Sequence, residues 1–484
     1  MGHRSPPDTG GTVFLGRVSD ENGSTDDVPD QSFDLVILGG GSGGYAAAIR
    51  AAELGMSVGL IEKDKVGGTC LHRGCIPTKA LLHAAEVADT AKDSEHYGIK
   101  ASFDSVDIAG VTSYRTGIVA KKFKGLQSLL KARGITTIDG EGHLASATTI
   151  HVGDSTITGK NIVLATGSYS RSLPGLELGG RVIDSEQALD LDYVPKKVAV
   201  LGGGVIGVEF ASVWRSFGAD VTIIEALPHL IPNEEEVLSK ALERAYRKRG
   251  IQYSLGVRFQ SVTQDDAGVV VTLENGKTID AELLLVAVGR GPSTAGMGFE
   301  EAGVTLNRGF VNTNERLETS LKGVYAVGDI VFGLQLAHRS FQQGIFVAEE
   351  IAGLNPAIVS DTNIPRITYC EPEVMSVGLT EAKAVEQHGR DAVVAYDYSL
   401  AGNAKSEILD TSGSIKVVRL KDGPVLGVHG IGTRVGELVG EAQLVVNWEA
   451  YPEDVAPYVH GHPTQYEALG EAFLALAGKP LHAL

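Results

Sequence analysis

The order of apolar and polar residues along this chain predicts an α/β protein built from strand–turn–helix–strand units. The apolar run Phe33–Leu38 leads into a glycine-rich turn and then into an alanine-rich amphipathic stretch that stops at Gly55. A second β-branched run ends at Glu62. Short, continuous apolar runs are typical of buried parallel strands, and a glycine just past the periodic stretch is typical of a helix C-terminus. The segment therefore predicts a βαβ unit.

The same unit is repeated later in the chain. Residues 197–225 follow the same order, from an apolar run through glycines and an amphipathic stretch to a terminal acid. Glu62 follows Gly39 by 23 positions, and Glu225 follows Gly202 by 23 positions. Glycines that only turn a corner do not explain the same offsets twice, so we interpret the two segments as βαβ units of one design.

Both units carry the pattern G-x-G-x-x-G. The glycines are Gly39, Gly41 and Gly44 in the first unit and Gly202, Gly204 and Gly207 in the second. In such a loop the backbone approaches a pyrophosphate, which the N-terminus of the following helix also attracts. The acid that ends the second strand binds an adenosine ribose and repels a 2′-phosphate. The pattern predicts two dinucleotide sites, and Glu225 predicts NAD rather than NADP at the second.

Further apolar runs indicate how the units are arranged. They are Ile162–Ser168, Leu283–Pro292 and Leu321–Ile330. The first two flank the second unit, as expected if that unit is inserted into the first domain. The third places Asp329 at the carboxyl edge of a sheet, where open α/β sheets bind ligands. From about residue 356 the pattern changes: strands such as Ser414–Val418 and Val425–Ile431 alternate with helices and carry no glycine-rich loop of the earlier kind. We expect an α/β fold with two Rossmann-like domains, the second inserted in the first, and a C-terminal α+β domain.

Composition narrows the classes of partner. The chain has 484 residues, 42 basic and 60 acidic, and a net charge of −18, which disfavours nucleic acid as a partner. No apolar run reaches the 18 residues typical of a membrane span. The first 31 residues are rich in Pro, Gly, Asp and Ser and lack the apolar centre of a secretory signal, so we expect a disordered tail.

Two of the three cysteines indicate redox chemistry. Cys70 and Cys75 stand five positions apart, close behind the first nucleotide unit, whereas Cys370 is isolated and is predicted to be a buried, inert thiol. A regular helix would separate Cα atoms five residues apart by roughly 7.5 Å, more than a disulfide tolerates. A bond between them needs a distorted turn and would be easily reduced. The alternatives are a metal site, which needs further ligands, and two unrelated thiols.

The motif from Gly67 to Lys79, GGTCLHRGCIPTK, resembles the redox motif of the class I pyridine nucleotide–disulfide oxidoreductases. The resemblance covers residues 33–480. Within that family, the segments GGYAAAIRAAELG, CIPTK, ITYCEPEVMSVGLTE and HGHPTQYEALGEA are similar to the dihydrolipoamide dehydrogenase branch. The chain departs from the family pattern at His72-Arg73, where Asn-Val is more common, and at Gln343, where a glutamate is usual. The alternatives are a glutathione- or mercuric-reductase-like enzyme, or a flavoprotein with a structural role in a multienzyme complex.

The resemblance implies a domain order and two cofactors. Residues 32–170 would bind FAD and carry the redox disulfide, 171–288 would bind NAD, 289–355 would return to the first domain, and 356–484 would form a homodimer. The implied FAD contacts are Gly39, Gly41, Gly44, Glu62, Lys79, Thr166, Gly167, Asp329 and Ala337. The implied NAD contacts are Gly202, Gly204, Gly207, Glu209, Glu225 and Gly289. No metal is implied.

The resemblance also implies catalytic roles. Cys70 would exchange with the substrate, Cys75 would contact the flavin, and Lys79 would lie near the flavin and pair with Glu209. The implied partner is a lipoyl-bearing protein of a 2-oxo-acid dehydrogenase or glycine cleavage system, and the implied location is the cytoplasm.

His462 and Glu467 have two interpretations. From the residues alone, Thr464 to Glu467 is a capping box that begins a helix, and His462 belongs to the turn before it. The resemblance makes His462 the general base for the thiol, oriented by Glu467 and supplied to the partner subunit. A metal at His460 and His462 would need acidic or thiol ligands that the surrounding sequence lacks.

Overall fold

The structure, a computed structural model, describes residues 30–358 and 360–482. The first strands are β1 (Gln31–Leu38), β2 (Val58–Glu62), β3 (Thr136–Asp139), β4 (Gly142–Ser146), β5 (Thr149–Val152), β6 (Ser155–Leu164), β7 (Ser168–Ser170), β8 (Val182–Ile183), β9 (Lys197–Leu201), β10 (Asp220–Glu225), β11 (Gln252–Leu255) and β12 (Phe259–Gln264). The remaining strands are β13 (Val269–Leu273), β14 (Thr278–Ala281), β15 (Leu283–Val286), β16 (Arg290–Pro292), β17 (Leu306–Asn307), β18 (Phe310–Val311), β19 (Val324–Ala326), β20 (Arg366–Thr368), β21 (Glu373–Gly378), β22 (Val393–Ser399), β23 (Ser414–Leu420) and β24 (Val425–Gly432).

The α-helices of the described ranges lie between these strands. They are α1 (Ser42–Glu53), α2 (Gly68–His72), α3 (Cys75–Lys92), α4 (Ile108–Ala132), α5 (Ser185–Leu189), α6 (Val205–Phe217), α7 (Glu236–Lys248), α8 (Ala337–Ile351), α9 (Glu381–His388), α10 (Ala404–Ile408), α11 (Val439–Asn447), α12 (Pro452–Val455) and α13 (Glu467–Leu476). Among them, none combines the length and the hydropathy that crossing a membrane requires.

The first sheet has the strand order β3-β2-β1-β6-β5-β4, and β19 pairs with β6. Its central strand β1 is parallel to both neighbours, and Leu35, Val36 and Ile37 have no exposed surface. Burial on both faces explains why the strand reads as an unbroken apolar run. Gln31 pairs with Ile157, so the strand begins inside the segment predicted as a tail. The rest of that predicted tail, up to residue 29, lies outside the described residues.

The second sheet, in the order β11-β10-β9-β15-β8, is parallel and lies in sequence between β6 and β19 of the first sheet. The chain leaves the first sheet, builds the second and returns, which confirms the predicted insertion. A separate antiparallel sheet, β12-β13-β14, follows β11.

Two predicted strands are each broken in the structure. The run Ile162–Ser168 divides into β6 and β7 around Gly167, and the run Leu283–Pro292 divides into β15 and β16 around Gly289. Both glycines have positive φ, of 74° and 108°, which turns the chain out of its sheet. The far halves, β7 and β16, pair with each other as a two-stranded antiparallel ribbon. The sequence predicted apolar strands that end in glycine turns, and the structure confirms this; the short strands beyond the two glycines were not predicted.

The third region is a five-stranded antiparallel sheet, β20-β21-β24-β23-β22, with α11 and α13 packed on it. Its core includes Met375, Val428, Leu469 and Phe473. The region also packs against the second sheet, because Cys370, Val374 and Ile431 belong to the same apolar cluster as the residues of β9 and β10. This contact brings residues 366–374 close to α6.

Candidate active site

The two cysteines lie on either side of a break between helices. Cys70 is in the short helix α2, and Cys75 is the first residue of α3. Gly74, between the helices, has φ −142° and ψ −109°, far from helical values. This break is the distortion that the five-residue spacing predicted. Both cysteines are half-buried thiols in this structure.

The two thiols differ in acidity. A hydrogen bond from Cys70 lowers the pKa of Cys75 to about 7, and the charge of Lys79 acts in the same direction against the effect of burial. The hydrogen bond and burial together raise the pKa of Cys70. The pair therefore carries its negative charge on Cys75, and Cys70 holds the proton. The third cysteine, Cys370, is buried, as predicted.

Lys79 forms a two-pronged ion pair with Glu209. Its Nζ lies 2.7 Å and 2.9 Å from the two carboxylate oxygens. Burial opposes the charge of Lys79, but Glu209 outweighs it and holds the pKa of the lysine above its usual value. The pair joins α3 of the first unit to α6 of the second, which confirms the ion pair expected from the sequence.

Tyr369 completes this contact from the third region. Its backbone N–H donates to Glu209 Oε1 at 3.0 Å, and the Lys79 Nζ lies 4.8 Å from the centre of its ring. A cation over an aromatic ring is attracted to it. Sequence reasoning did not single out Tyr369, because its position before Cys370 carries no periodic or motif signal of its own.

The two glycine loops have the same geometry. A Cβ at Gly44 would lie 1.8 Å from the Gly39 carbonyl oxygen, and a Cβ at Gly207 would lie 1.9 Å from that of Gly202. Only glycine fits such a helix–strand contact. The third glycine of each motif therefore lets the helix pack closely on the end of the first strand.

The two terminal acids are held in the same way. Glu62 accepts hydrogen bonds from the N–H groups of Gly40 and Asp64 at 2.7 Å and 2.9 Å. Glu225 accepts from Gly203 and Leu227 at 2.7 Å and 2.8 Å. Each carboxylate is thus fixed beside the glycine loop, where a ribose would lie.

The loops leave room for a dinucleotide. A Cβ at Gly204 would meet no described atom within 4 Å, and one at Gly41 would meet only the Gly68 Cα, at 4.0 Å. Within the described ranges, no side chain caps the N-terminus of α1 or α6. The free N–H groups of both helices suit a pyrophosphate. The residues present therefore fit a dinucleotide at each sheet edge.

Asp329 lies where the ribbon meets the first sheet. Its Oδ2 accepts from the Ser168 hydroxyl at 2.5 Å, and Ser168 Oγ accepts from Arg290 Nε at 2.7 Å. Thr166 donates its hydroxyl to the Ser293 carbonyl, and Ala337 is the first residue of α8. These predicted cofactor residues thus gather along the carboxyl edge of β6 and β19.

The three residues that depart from the family pattern, Gln343, His72 and Arg73, each make polar contacts in the structure. The buried Gln343 accepts from the Gly328 N–H at 2.8 Å through its Oε1, so the neutral amide orders the turn that carries Asp329. His72 Nε2 lies 3.0 Å from the Val66 carbonyl oxygen. Arg73 pairs with Asp64 and Glu186.

His462 and Glu467 are in direct contact. His462 Nδ1 lies 2.9 Å from Glu467 Oε1, and the other carboxylate oxygen accepts from the Thr464 N–H at 2.6 Å. That backbone bond and His462 hold the pKa of Glu467 below its usual value, although burial opposes them. The predicted capping box is only half formed, because the Glu467 carboxylate accepts from the Thr464 N–H but no side-chain hydrogen bond caps α13. Thr464 donates its hydroxyl to the Gly461 carbonyl, and α13 begins only at Glu467.

The histidine lies in the C-terminal region, whereas the two cysteines lie in the first region. Its side chain is 72% exposed, and α13 packs against α12, β22 and β23. No hydrogen bond or ion pair between described residues joins His462 to Cys70 or Cys75.

Residues 33–344 match the family model for pyridine nucleotide-disulphide oxidoreductases, and residues 364–473 match the dimerisation domain of those proteins. The chain belongs to this family. As a family member it is an oxidoreductase that uses FAD and NAD(H). Both glycine loops lie within the first matched range, and the C-terminal sheet lies within the match to the dimerisation domain.

Full-length relatives include dihydrolipoyl dehydrogenases of bacteria and plants. The chain is 37% identical to that of Bacillus subtilis over 471 residues, which is 93% of this chain and 99% of the relative. It is 38% identical to that of Geobacillus stearothermophilus, over 93% and 97% of the two chains. It is 36% identical to the mitochondrial protein of Pisum sativum, over 93% and 92%.

Solved structures of the family have the same fold. LpdA from Mycobacterium tuberculosis has a TM-score of 0.85 at 25% identity, over 92% of this chain and 99% of that one. The HOCl-induced flavoprotein disulfide reductase RclA from Escherichia coli, solved as a Cu(II) complex, has a TM-score of 0.83 at 27% identity, over 92% and 99%.

Proposed function

We propose that the protein is a dihydrolipoyl dehydrogenase, which oxidises protein-bound dihydrolipoamide to lipoamide and reduces NAD⁺. The observation that carries this proposal is the asymmetric cysteine pair. Cys70 and Cys75 lie across a helix break, and Cys75, with its pKa lowered to about 7, is the thiol that carries negative charge. Identity of 36–38% to dihydrolipoyl dehydrogenases over nearly the whole chain supports the choice of substrate.

The chemistry at the thiols begins from the oxidised pair. One thiolate of dihydrolipoamide attacks the Cys70 sulfur, so that a mixed disulfide forms and Cys75 leaves as a thiolate. The low pKa of Cys75 makes it a good leaving group. The second substrate thiolate then attacks the substrate sulfur bound to Cys70. This step releases lipoamide and leaves two electrons on the dithiol.

FAD, when bound, takes these two electrons from the dithiol and supplies hydride to NAD⁺. The loop of Gly39, Gly41 and Gly44 would hold its pyrophosphate, and Glu62 its ribose. Lys79 is the cation of the pair with Glu209, and its charge stabilises the Cys75 thiolate. The second loop and Glu225 would hold NAD in the corresponding way.

His462 is proposed as the base that removes the proton from the substrate thiol. Glu467 fixes Nδ1, which leaves Nε2 free to accept that proton. Because His462 is exposed and no hydrogen bond or ion pair among the described residues joins it to Cys70 of its own chain, we assign it to Cys70 of the partner subunit in a homodimer. A two-fold axis would complete two such sites.

We assign residues 32–170 and 289–355 to the FAD domain, 171–288 to the NAD domain and 356–484 to the dimerisation domain. The proposed partner is a lipoyl-bearing protein of a 2-oxo-acid dehydrogenase or glycine cleavage system. A reducing compartment such as the cytoplasm suits the free Cys370 and the catalytic use of the other pair.

The decisive experiment compares substrates with one enzyme preparation. NADH-dependent reduction of lipoamide, glutathione disulfide and Cu(II) is measured side by side; Cu(II) is included because of the likeness to the RclA complex. Lipoamide should have the highest kcat/KM. A higher kcat/KM with glutathione disulfide or Cu(II) would show that lipoamide is not the preferred substrate. Absence of turnover with all three would favour a structural role.

A further inference from the structure

A crevice lies behind the redox motif, between the helices that hold the two cysteines and helix α4. Its volume is about 280 Å³. It is bordered by Lys65, His72, Arg115, Val119, Phe123 and Asp190, among others. Three of these residues are basic or can become cationic, and one is acidic. Such a cationic crevice is unusual in a chain whose net charge is −18.

Arg115 is the buried cation of this crevice, and its hydrogen bonds are incomplete. Its side chain is 7% exposed, and its Nε has no acceptor among the residues that the structure describes. Its ion pair with Asp190 is long, at 3.4 Å, and the Asp190 side chain is 76% exposed. Buried N–H groups are normally satisfied, because leaving one without an acceptor is costly. Asp190 is thus the only anionic partner of the guanidinium among the described residues, and the Nε N–H stays without an acceptor.

Part of the crevice wall is apolar. Val119 and Phe123 follow Arg115 along one face of α4, since they are four and eight positions further on. The His72 ring meets Phe123 edge-on, with ring centres 5.0 Å apart. Its Nε2 donates to the Val66 carbonyl oxygen, which can only accept. The crevice therefore offers a cationic end and an apolar wall.

We propose that this crevice binds a small organic carboxylate. The carboxylate would pair with Arg115 and Lys65, and the apolar body would pack on Val119 and Phe123. His72 lies between the two cysteines in the motif, and Pro77, which also borders the crevice, follows Cys75 by two positions. An occupant would thus contact both helices that hold the thiols, and the proposal includes an effect of its binding on the redox pair.

Isothermal titration calorimetry of the FAD-loaded enzyme with benzoate tests binding. Benzamide, which is neutral, and inorganic phosphate, which lacks an apolar body, are the comparison probes. Arg115→Met should weaken benzoate binding about tenfold or more, since it removes a charge-assisted contact. Ala120→Trp should block the crevice from an exposed position of its wall. The matched control is Lys124→Met, which removes an exposed cation of the same helix outside the crevice and should leave binding unchanged.

Equal benzoate affinity in the wild type, Arg115→Met and Ala120→Trp would overturn the site. Equal affinity for benzamide or phosphate would overturn the ligand class. If Arg115→Met fails to fold, binding of benzoate to Lys65→Met and Ala120→Trp tests the site instead. Both variants replace exposed residues and should therefore fold.

The regulatory role has its own readout. Saturating benzoate should change the charge-transfer absorbance of the two-electron-reduced enzyme, and an unchanged spectrum would overturn regulation. Calorimetry does not depend on the identity of the disulfide substrate, so failure of the proposed function would leave this test intact.

Discussion

Lys79 and Glu209, 2.7 Å apart, act with opposite signs on the acidity of Cys75. The lysine charge lowers the pKa of that thiol, and the glutamate charge raises it. The ion pair therefore modifies the fraction of Cys75 that is thiolate near neutral pH, in addition to the hydrogen bond from Cys70 and to burial, and each member of the pair can be removed separately.

The first prediction concerns the pH at which the Cys75 thiolate appears. Lys79→Met should move the titration of the thiolate–flavin charge-transfer band to higher pH, because a stabilising cation is lost. Glu209→Gln should move it to lower pH, because a repelling anion is lost. Absorbance titration of the reduced enzyme measures both. Lys92→Met, at the far end of α3, is the control. Shifts of the same sign in the two active-site variants would contradict this prediction.

The second prediction assigns the thiols. Cys75→Ser should abolish the charge-transfer band of the two-electron-reduced enzyme. Cys70→Ser should leave a thiolate at Cys75 and show the band without reduction. Because the pKa of Cys75 in the reduced pair is about 7, the wild-type band should grow as the pH rises through that value. The reverse behaviour of the two variants would exchange the roles of the cysteines.

A third prediction concerns the nicotinamide cofactor. Glu225 is held by two backbone N–H groups beside the second glycine loop. Its charge should repel a 2′-phosphate, so kcat/KM should favour NAD(H) over NADP(H). Glu225→Ala should narrow the difference. Glu62→Ala, the equivalent change at the first loop, should weaken FAD retention and leave the nicotinamide preference unchanged. Parity of the two cofactors in the wild type would refute this assignment.

The fourth prediction concerns sharing of the site between subunits. Cys70→Ser and His462→Ala should each be inactive alone. After subunit exchange, a heterodimer has one site with both lesions and one with neither, so random mixing should restore roughly a quarter of wild-type activity by symmetry. Mass spectrometry of differently tagged chains verifies the exchange. Verified exchange without recovery would mean that each chain completes its own site.

The fifth prediction concerns stability at the contact between the second and third regions. Lys416 Nζ lies 3.0 Å from the buried carboxylate of Glu235. Lys416→Met would leave that charge without its lysine and should cost about 3–5 kcal/mol of unfolding free energy, as for other broken buried pairs. Lys240→Met, which breaks an exposed pair with Glu236, should cost about 1 kcal/mol or less. Urea unfolding measures both, and equal losses would contradict the argument.

Much of the nucleotide-binding architecture could be predicted because its signals are local. The spacing from Gly39 to Glu62 recurs from Gly202 to Glu225, and steric contact within one βαβ unit enforces it. The third glycine of each motif lies against the carbonyl of the first, within 2 Å of any added Cβ. A contact between residues so close in sequence can be predicted without knowledge of the tertiary structure. The Cys70–Cys75 spacing likewise predicted the helix break.

Contacts between distant segments were decided only by the tertiary structure. Tyr369 reaches Lys79 and Glu209 because the third region packs on α6, and no local pattern encodes that packing. Arg115 is buried against the redox motif for a similar reason, although its own helix is largely exposed. Local periodicity records which face of an element is apolar. The partner of that face, and the charges buried beside it, depend on how the sheets and helices assemble.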